Sequence, residues 1–183
     1  MIMKNTCLFI LFILLSCSVN AQQILVCNNA KVSFFSSTIM EDIEGKSAAG
    51  GSVIDTKSGN IIFKVKNTSF QFKKKLMQEH FNENYMESDK YPVSEFKGTI
   101  KGPINMDVDG TYKVGIEGTL NIHGISKAYK TQADLVVSKG TLNASAVFKV
   151  KIADHGIEIP TLVFKNIAES VEVRIQATYL PKK

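Results

Sequence analysis

The side chains in this chain that could do chemistry are few and scattered. His80, His123 and His155 share no metal-pair spacing, and no HExxH, GxSxG, GxGxxG or GxxxxGKS occurs. Asp107 and Asp109 before Gly110 begin like a calcium loop but lack its remaining ligands. They fit a tight turn better. His80 lies on the apolar side of a helical pattern, as a hydrogen-bonded core residue or one facing a ligand. His123 precedes Gly124 on the polar phase of a strand and reads as a turn or surface residue. His155, in Asp154-His155-Gly156, reads as another turn. No catalytic residue, metal site or cofactor is expected from these positions.

Cysteine and charge are equally quiet. Cys7 and Cys17 fall in the first 21 residues, which leaves Cys27 without an intramolecular disulfide partner. It reads as a small buried apolar residue. The net charge is +5, Arg174 is the one arginine, and the only basic run is Lys73-Lys74-Lys75. Elsewhere lysines alternate with acidic and polar residues, which describes a solvated face and excludes a nucleic-acid surface.

The elements that must position these residues are mostly strands. Tyr112, Val114, Ile116, Gly118, Leu120 and Ile122 alternate with polar residues, the pattern of a strand with one dry face. The period recurs over Ile61–Val65, Tyr129–Val137, Leu142–Ile152 and Val171–Tyr179. Shorter candidates are Lys31–Phe35, Ile39–Glu44, Gly51–Asp55 and Val93–Lys101. Turn signals at Lys57–Asn60, Asp109-Gly110, His123-Gly124 and Lys139-Gly140 make the connections short, so neighbouring strands are antiparallel. Strands that are dry on one face bury it in a closed barrel or a sandwich.

One segment breaks the period. Leu76, Met77, His80, Phe81 and Tyr85 share one side of a helix, predicted over about residues 74–88, which must stop before Pro92. The inward strand positions mix large residues (Phe63, Tyr112, Phe148, Tyr179) with small ones (Gly118, Ala133, Ala144, Ala146, Ala177). That mixture suits either a packed interior or a barrel with room for one small ligand.

The 183 residues, 44% hydrophobic with four prolines, suit one domain large enough to form its own core. Part of the apolar content lies at the start. Lys4, the uncharged run Cys7–Leu15 and the small residues up to Ala21 form a secretory leader over 1–21, leaving a single domain over 22–183. The expected location is periplasmic or secreted. Leu14-Leu15-Ser16-Cys17 supplies the rival reading, a lipoprotein anchored at Cys17.

Two segments carry a resemblance to a known family. Tyr91-Pro92-Val93-Ser94-Glu95-Phe96 resembles the helix-exit "YP…F" element of the YceI-like family of exported bacterial proteins. Gly118-Thr119-Leu120-Asn121-Ile122-His123-Gly124-Ile125-Ser126-Lys127 is close to its G-x-L-T-(I/L)-(H/R)-G-V-(T/S)-K element. Val32-Ser33-Phe34, Gly45, Phe148–Ile157 and Val171–Leu180 match in the same order. Two departures stand out: Ala30-Lys31 replaces the family's "HS" before the first strand motif, and His155-Gly156-Ile157 replaces its "FG(I/M)".

The resemblance implies a mainly β fold, a lipocalin-like antiparallel barrel of about eight strands with one helical insertion and an elongated apolar cavity. It also implies a polyisoprenoid or other amphiphilic lipid as partner. The expected lining is Phe63, Tyr112, Ile116, Leu135, Ala146, Phe148, Val173 and Ile175, with Phe81 and Tyr85 closing one end from the helix. The expected function is that of an exported, non-enzymatic protein holding a polyisoprenoid, prenyl quinone or fatty-acid-like chain for storage or transport. Transient membrane contact and a dimer are compatible with it. Two alternatives remain: an enzyme acting on an apolar substrate through His80 or His123, and a packed, ligand-free barrel with an interaction or stress role.

Overall fold

The computed structural model describes residues 24–37, 42–158 and 168–182. The leader segment 1–21, Cys17 and the 39–41 part of the Ile39–Glu44 strand candidate lie outside the described residues. The strands are β1 (Ile24–Ser37), β2 (Asp42–Asp55), β3 (Asn60–Lys66), β4 (Gln71–Phe72), β5 (Val93–Lys101), β6 (Gly110–Ile122), β7 (Ile125–Ser138), β8 (Thr141–Lys151) and β9 (Ser170–Pro181). The Gly51–Asp55 candidate and the remainder of Ile39–Glu44 belong to one strand, β2. The run of small residues between them, Ser47-Ala48-Ala49-Gly50, stays extended because it pairs with β1.

Eight of these strands form a closed antiparallel barrel in the order β1-β9-β8-β7-β6-β5-β3-β2, with β1 paired back to β2 and the short β4 continuing along the edge of β2 that β3 pairs. β1 makes the closure. It runs along β2 from Ile24↔Asp55 to Ser37↔Asp42, and along β9 from Leu25↔Pro181 to Phe35↔Glu172. Its register shifts between Cys27 and Ala30, a bulge that bends the strand between its two partners. The two-residue hairpins His123-Gly124 and Lys139-Gly140 carry positive φ at both residues (51° and 76°, 49° and 72°). That twist matches the flanking strands.

Alternation behaves as the sequence pattern requires. Ile61, Phe63 and Val65 on β3 are buried while Asn60, Ile62, Lys64 and Lys66 are exposed, and β7 buries Ala133, Leu135 and Val137 between exposed neighbours. The outward lysines face cross-strand acids, as in Lys64 with Glu95 (2.7 Å) and Lys130 with Glu117 (3.2 Å). Phe96 lies flat over Gly98 and Gly118. A Cβ on Gly118 would stand 2.6 Å from its ring and 2.5 Å from the Gly98 Cα. These glycines are present because an aromatic ring occupies the space of their missing side chains.

Burial changes along each strand. At one end the inward residues are sealed: Leu25 and Leu142 at 0%, Leu135 at 1%, Val137 and Tyr179 at 2%. Cys27 is buried there too, and Asp109 accepts the Lys139 amide (2.9 Å) to join two loops. Towards the other end the same inward phase is only half-buried, as at Tyr129, Thr131, Ala144, Ala146, Phe148, Val173 and Ile175. The barrel is therefore packed at one end and hollow at the other.

The helical insertion sits at the hollow end. It is α1 (Lys75–His80), continued by a π turn over Phe81–Tyr85 that closes with Met86 N–H on Phe81 O (2.8 Å). Asn67, fully buried, ties the two ends of this excursion together. Its Nδ2 donates to Tyr91 O, its Oδ1 accepts from Ser94 Oγ (2.8 Å), and its backbone N–H donates to Pro92 O (2.9 Å).

At the packed end the Tyr179 hydroxyl donates to Ser52 Oγ (2.8 Å), which donates to Ile62 O (2.9 Å). Desolvation pushes the Tyr179 phenol up to about 12. An unfolded tyrosine ionises near pH 10, so the stability tied to this group is full below about pH 10 and falls as pH rises towards 12. Two tests follow. Asn67→Ala should cost about 2 kcal/mol, from stranded partners, and lower Tm by about 4–8 °C. Tyr179→Phe should flatten the loss of stability between pH 10 and 12 in chemical denaturation, and an unchanged slope would show that this tyrosine does not titrate with unfolding.

Candidate functional site

The hollow half of the barrel is a cavity of about 520 Å³, lined mainly by apolar side chains from the strands and from the segment after β3. Small inward residues make it. Ala133, Ala144, Ala146 and Ala177 lie on three adjacent strands, with Leu135↔Ala144↔Ala177 and Ala133↔Ala146↔Ile175 in register. Below this level Leu135, Val137, Leu142 and Tyr179 fill the interior. Tyr179 and Ala177 form part of the floor.

Eight of the ten residues expected to line a cavity from the sequence do stand in its wall: Phe63, Phe81, Tyr85, Ile116, Ala146, Phe148, Val173 and Ile175. Tyr112 and Leu135 do not. Leu135 is packed into the sealed end. Tyr112 is half-buried, with its hydroxyl donating to Val108 O (3.0 Å), and it holds the loop before β6. Both are on the inward phase, but phase specifies a face and not a depth.

The mouth is partly covered by four aromatic rings. Phe34 of β1, Phe70, Phe72 of β4 and Phe81 of the π turn contact one another with centroids 5.0–5.7 Å apart. Phe81 in this cluster and the buried Met86 just after the π turn anchor the insertion, because no side chain of α1 is buried. Leu76 corrects the helical-face expectation: it is 59% exposed at the rim rather than packed inward. Only the π turn docks, so the first helical turn projects over the opening. His80 also stands at the rim, on an exposed position.

His123 and His155 do more than occupy turns. His155 is fully buried in a 3₁₀ turn (Ile152–His155). Its Nδ1 lies 3.0 Å from Ile125 O, which only accepts, so Nδ1 donates and Nε2 accepts the Tyr129 hydroxyl (3.1 Å). The ring stacks on Tyr129 at 13°. Burial, with Asp154 nearby, raises the Tyr129 phenol above its ordinary range. His123 places Nε2 2.6 Å from Glu87 Oε2 and Nδ1 3.3 Å from His155 O, with its ring edge-on to Tyr91 at 4.6 Å.

Together these bonds fasten the helix exit to the β6–β7 turn and the 3₁₀ turn to β7. Neither His123 nor Glu87 lines the cavity, so their pairing is a clamp on the rim. Asn67, His155 and Glu87 carried no sequence signal beyond polar residues near turns; their roles come from long-range contacts.

The polar groups along the wall are already used. Asn67 and Ser94 bond each other, Ser36 accepts the Ala168 amide (2.9 Å), and Tyr129 and Tyr179 donate to His155 and Ser52. Glu95 is held below its usual carboxylate range by hydrogen bonds from Lys64 and Lys97. Burial raises Tyr85 at the rim. Among the described residues no buried side-chain nitrogen or oxygen lacks a partner, and no cluster of three or more His, Cys, Asp or Glu could hold a metal ion.

An eight-stranded antiparallel barrel, packed at one end and hollow and apolar at the other, defines a lipocalin-like cavity protein. Comparison with known sequences goes one step further: a model of the YceI-like domain matches residues 25–179, and the chain belongs to that family. No curated protein matches it. Among solved structures it is similar to a polyisoprenoid binding domain from Saccharophagus degradans implicated in plant cell wall breakdown (TM-score 0.73, 16% identity, covering 88% of this chain and 100% of that one). It is similar also to BcnA of Burkholderia cenocepacia (TM-score 0.69, 16% identity, 81% and 95%) and to the Campylobacter jejuni YceI protein (TM-score 0.63, 19% identity, 80% and 89%). At these identities the likeness is one of fold.

If Phe81 anchors the insertion, Phe81→Ala should speed amide hydrogen exchange across residues 76–86 at least tenfold, a loss of more than about 1.4 kcal/mol of local opening energy. Amides of β6–β9 should keep their protection. Uniformly faster exchange would mean that the insertion is part of the barrel's global stability.

Proposed function

We propose that this protein holds a long apolar chain in the hollow half of its barrel, as a non-enzymatic carrier. The observation that carries the reading is the cavity itself: about 520 Å³, apolar, with its deep polar groups already bonded to the protein. A ligand that needs no hydrogen bonds fits such a wall. Each methylene moved from water into it contributes roughly 0.8 kcal/mol, so a chain of a dozen or more carbons outweighs the cost of ordering it. The Saccharophagus relative, a polyisoprenoid binding domain of the same fold, supports the same ligand class.

Polyisoprenoids, prenyl quinones and fatty-acid-like amphiphiles are the candidates, and storage or transport of them outside the cytoplasm is the role, with residues 1–21 as the export signal. Exchange with a membrane suits the rim, where exposed Leu76 follows Lys73-Lys74-Lys75. Catalysis through His123 lacks support, because its carboxylate partner and the ring itself stand outside the cavity wall.

The test is native mass spectrometry of the mature protein, with organic extraction of whatever copurifies, followed by titration of the emptied protein with a prenyl quinone. A noncovalent apolar adduct and micromolar or tighter uptake are expected. Ala146→Phe, which fills the cavity from β8, should abolish uptake while leaving the circular dichroism unchanged. His80→Ala should leave it intact. A protein that carries no lipid and takes up none would overturn the proposal.

A further inference from the structure

The geometry points to a fixed limit on the chain the barrel can enclose: about 16 carbons, set by the floor at Ala144, Ala177 and Tyr179. This rests on the carrier reading and adds to it a length specificity and the residues that impose it.

The length of the hollow sets this limit. Cavity lining extends from Ala144 on β8 to Ile152 just beyond it, and from Val171 to Tyr179 on β9. At about 3.3 Å per residue each run is about 26 Å of strand. A barrel of this size tilts its strands by about 35–45°, so the axial depth is about 20 Å. An extended hydrocarbon of ~1.5 Å bonds advances about 1.25 Å per carbon, and about 16 carbons fill that depth.

The floor is rigid. Leu135 and Leu142, packed beneath it, are sealed at 1% and 0% exposure, and Tyr179 is fixed by its bond to Ser52. Carbons beyond the limit must protrude past the mouth, where they gain no burial. Binding should therefore strengthen with chain length up to the limit and then level.

Competition of unbranched saturated carboxylic acids from C10 to C22, below their aggregation concentrations, against a bound fluorescent fatty acid reads this directly. Affinity should rise up to about fourfold per added methylene, with a break at about C16. Leu135→Ala, which removes about three carbon atoms from the plug beside Ala144 and so deepens the floor, should move the break two to three carbons longer. Ala144→Leu, which raises it, should move the break shorter by a similar amount. The second variant deletes no core atoms and keeps the test decisive if the first does not fold.

A rise that continues unbroken to C22, or a break that neither variant moves, would overturn the length limit while leaving the carrier reading standing. Failure of every acid to displace the probe, together with no uptake of prenyl quinone, would overturn both.

Discussion

The cavity depends on β1 hydrogen-bonding along both of its edges. With β1 joined to β2 and β9, the strand number and register fix the circumference. A sheet with free edges can flatten or close down until its inward side chains meet; a closed barrel cannot. Whatever volume the inward side chains leave unfilled then stays as space. At the level of Leu135, Val137, Leu142 and Tyr179 they leave none, and at the level of Ala133, Ala144 and Ala146 they leave a hollow. The bulge after Cys27 belongs to the same constraint, because it lets one strand follow two partners whose directions differ.

Period-two alternation is a strong sequence signal because it is local, and it made the faces of β3 and β6–β9 legible together with both two-residue hairpins. What alternation leaves open is height along the barrel axis. Strands tilt, so residues equally far from their turns on different strands lie at different depths. Leu135 and Ala133 are two positions apart on the same face, yet one is in the packed plug and the other in the cavity wall. Tyr112 failed as a lining residue for the same reason. The helical insertion was legible as an interruption of the period, but the exposure of Leu76 was not. It depends on where the π turn docks, and four phenylalanines distant in sequence decide that.

The histidines show how a cautious reading of a residue can be right about place and incomplete about role. His123 and His155 do sit at turns. Their rings act because turns at the hollow end have other segments to hold. A tight turn at the packed end lies on a filled core and needs little support; at the other end the interior is partly hollow and fewer side chains are buried. There the insertion over residues 67–92 and the segment from Ile152 onward must be fastened to the rim by specific bonds. Asn67, Glu87–His123 and His155–Tyr129 are those bonds. Polar residues thus carry at the rim the work that Leu, Val and Ile do at the base, and a hydrophobic pattern does not reveal them.

This division separates stability from opening. The strands are held by continuous ladders and by the sealed end. The insertion is held by one phenylalanine cluster, the buried Met86, one buried asparagine and one histidine–carboxylate contact. Segments with few buried contacts open at a lower free energy than the structure that supports them. A chain can therefore pass the mouth when Phe81 leaves the cluster, without any barrel hydrogen bond breaking. The opposite route, through the base, would require displacing Leu135, Leu142 and Tyr179 from sites at most 2% exposed, which amounts to unfolding the barrel. For the carrier role proposed above, entry and exit then share one opening, and the polar head of an amphiphilic ligand would be left there, next to the exposed lysines and Leu76.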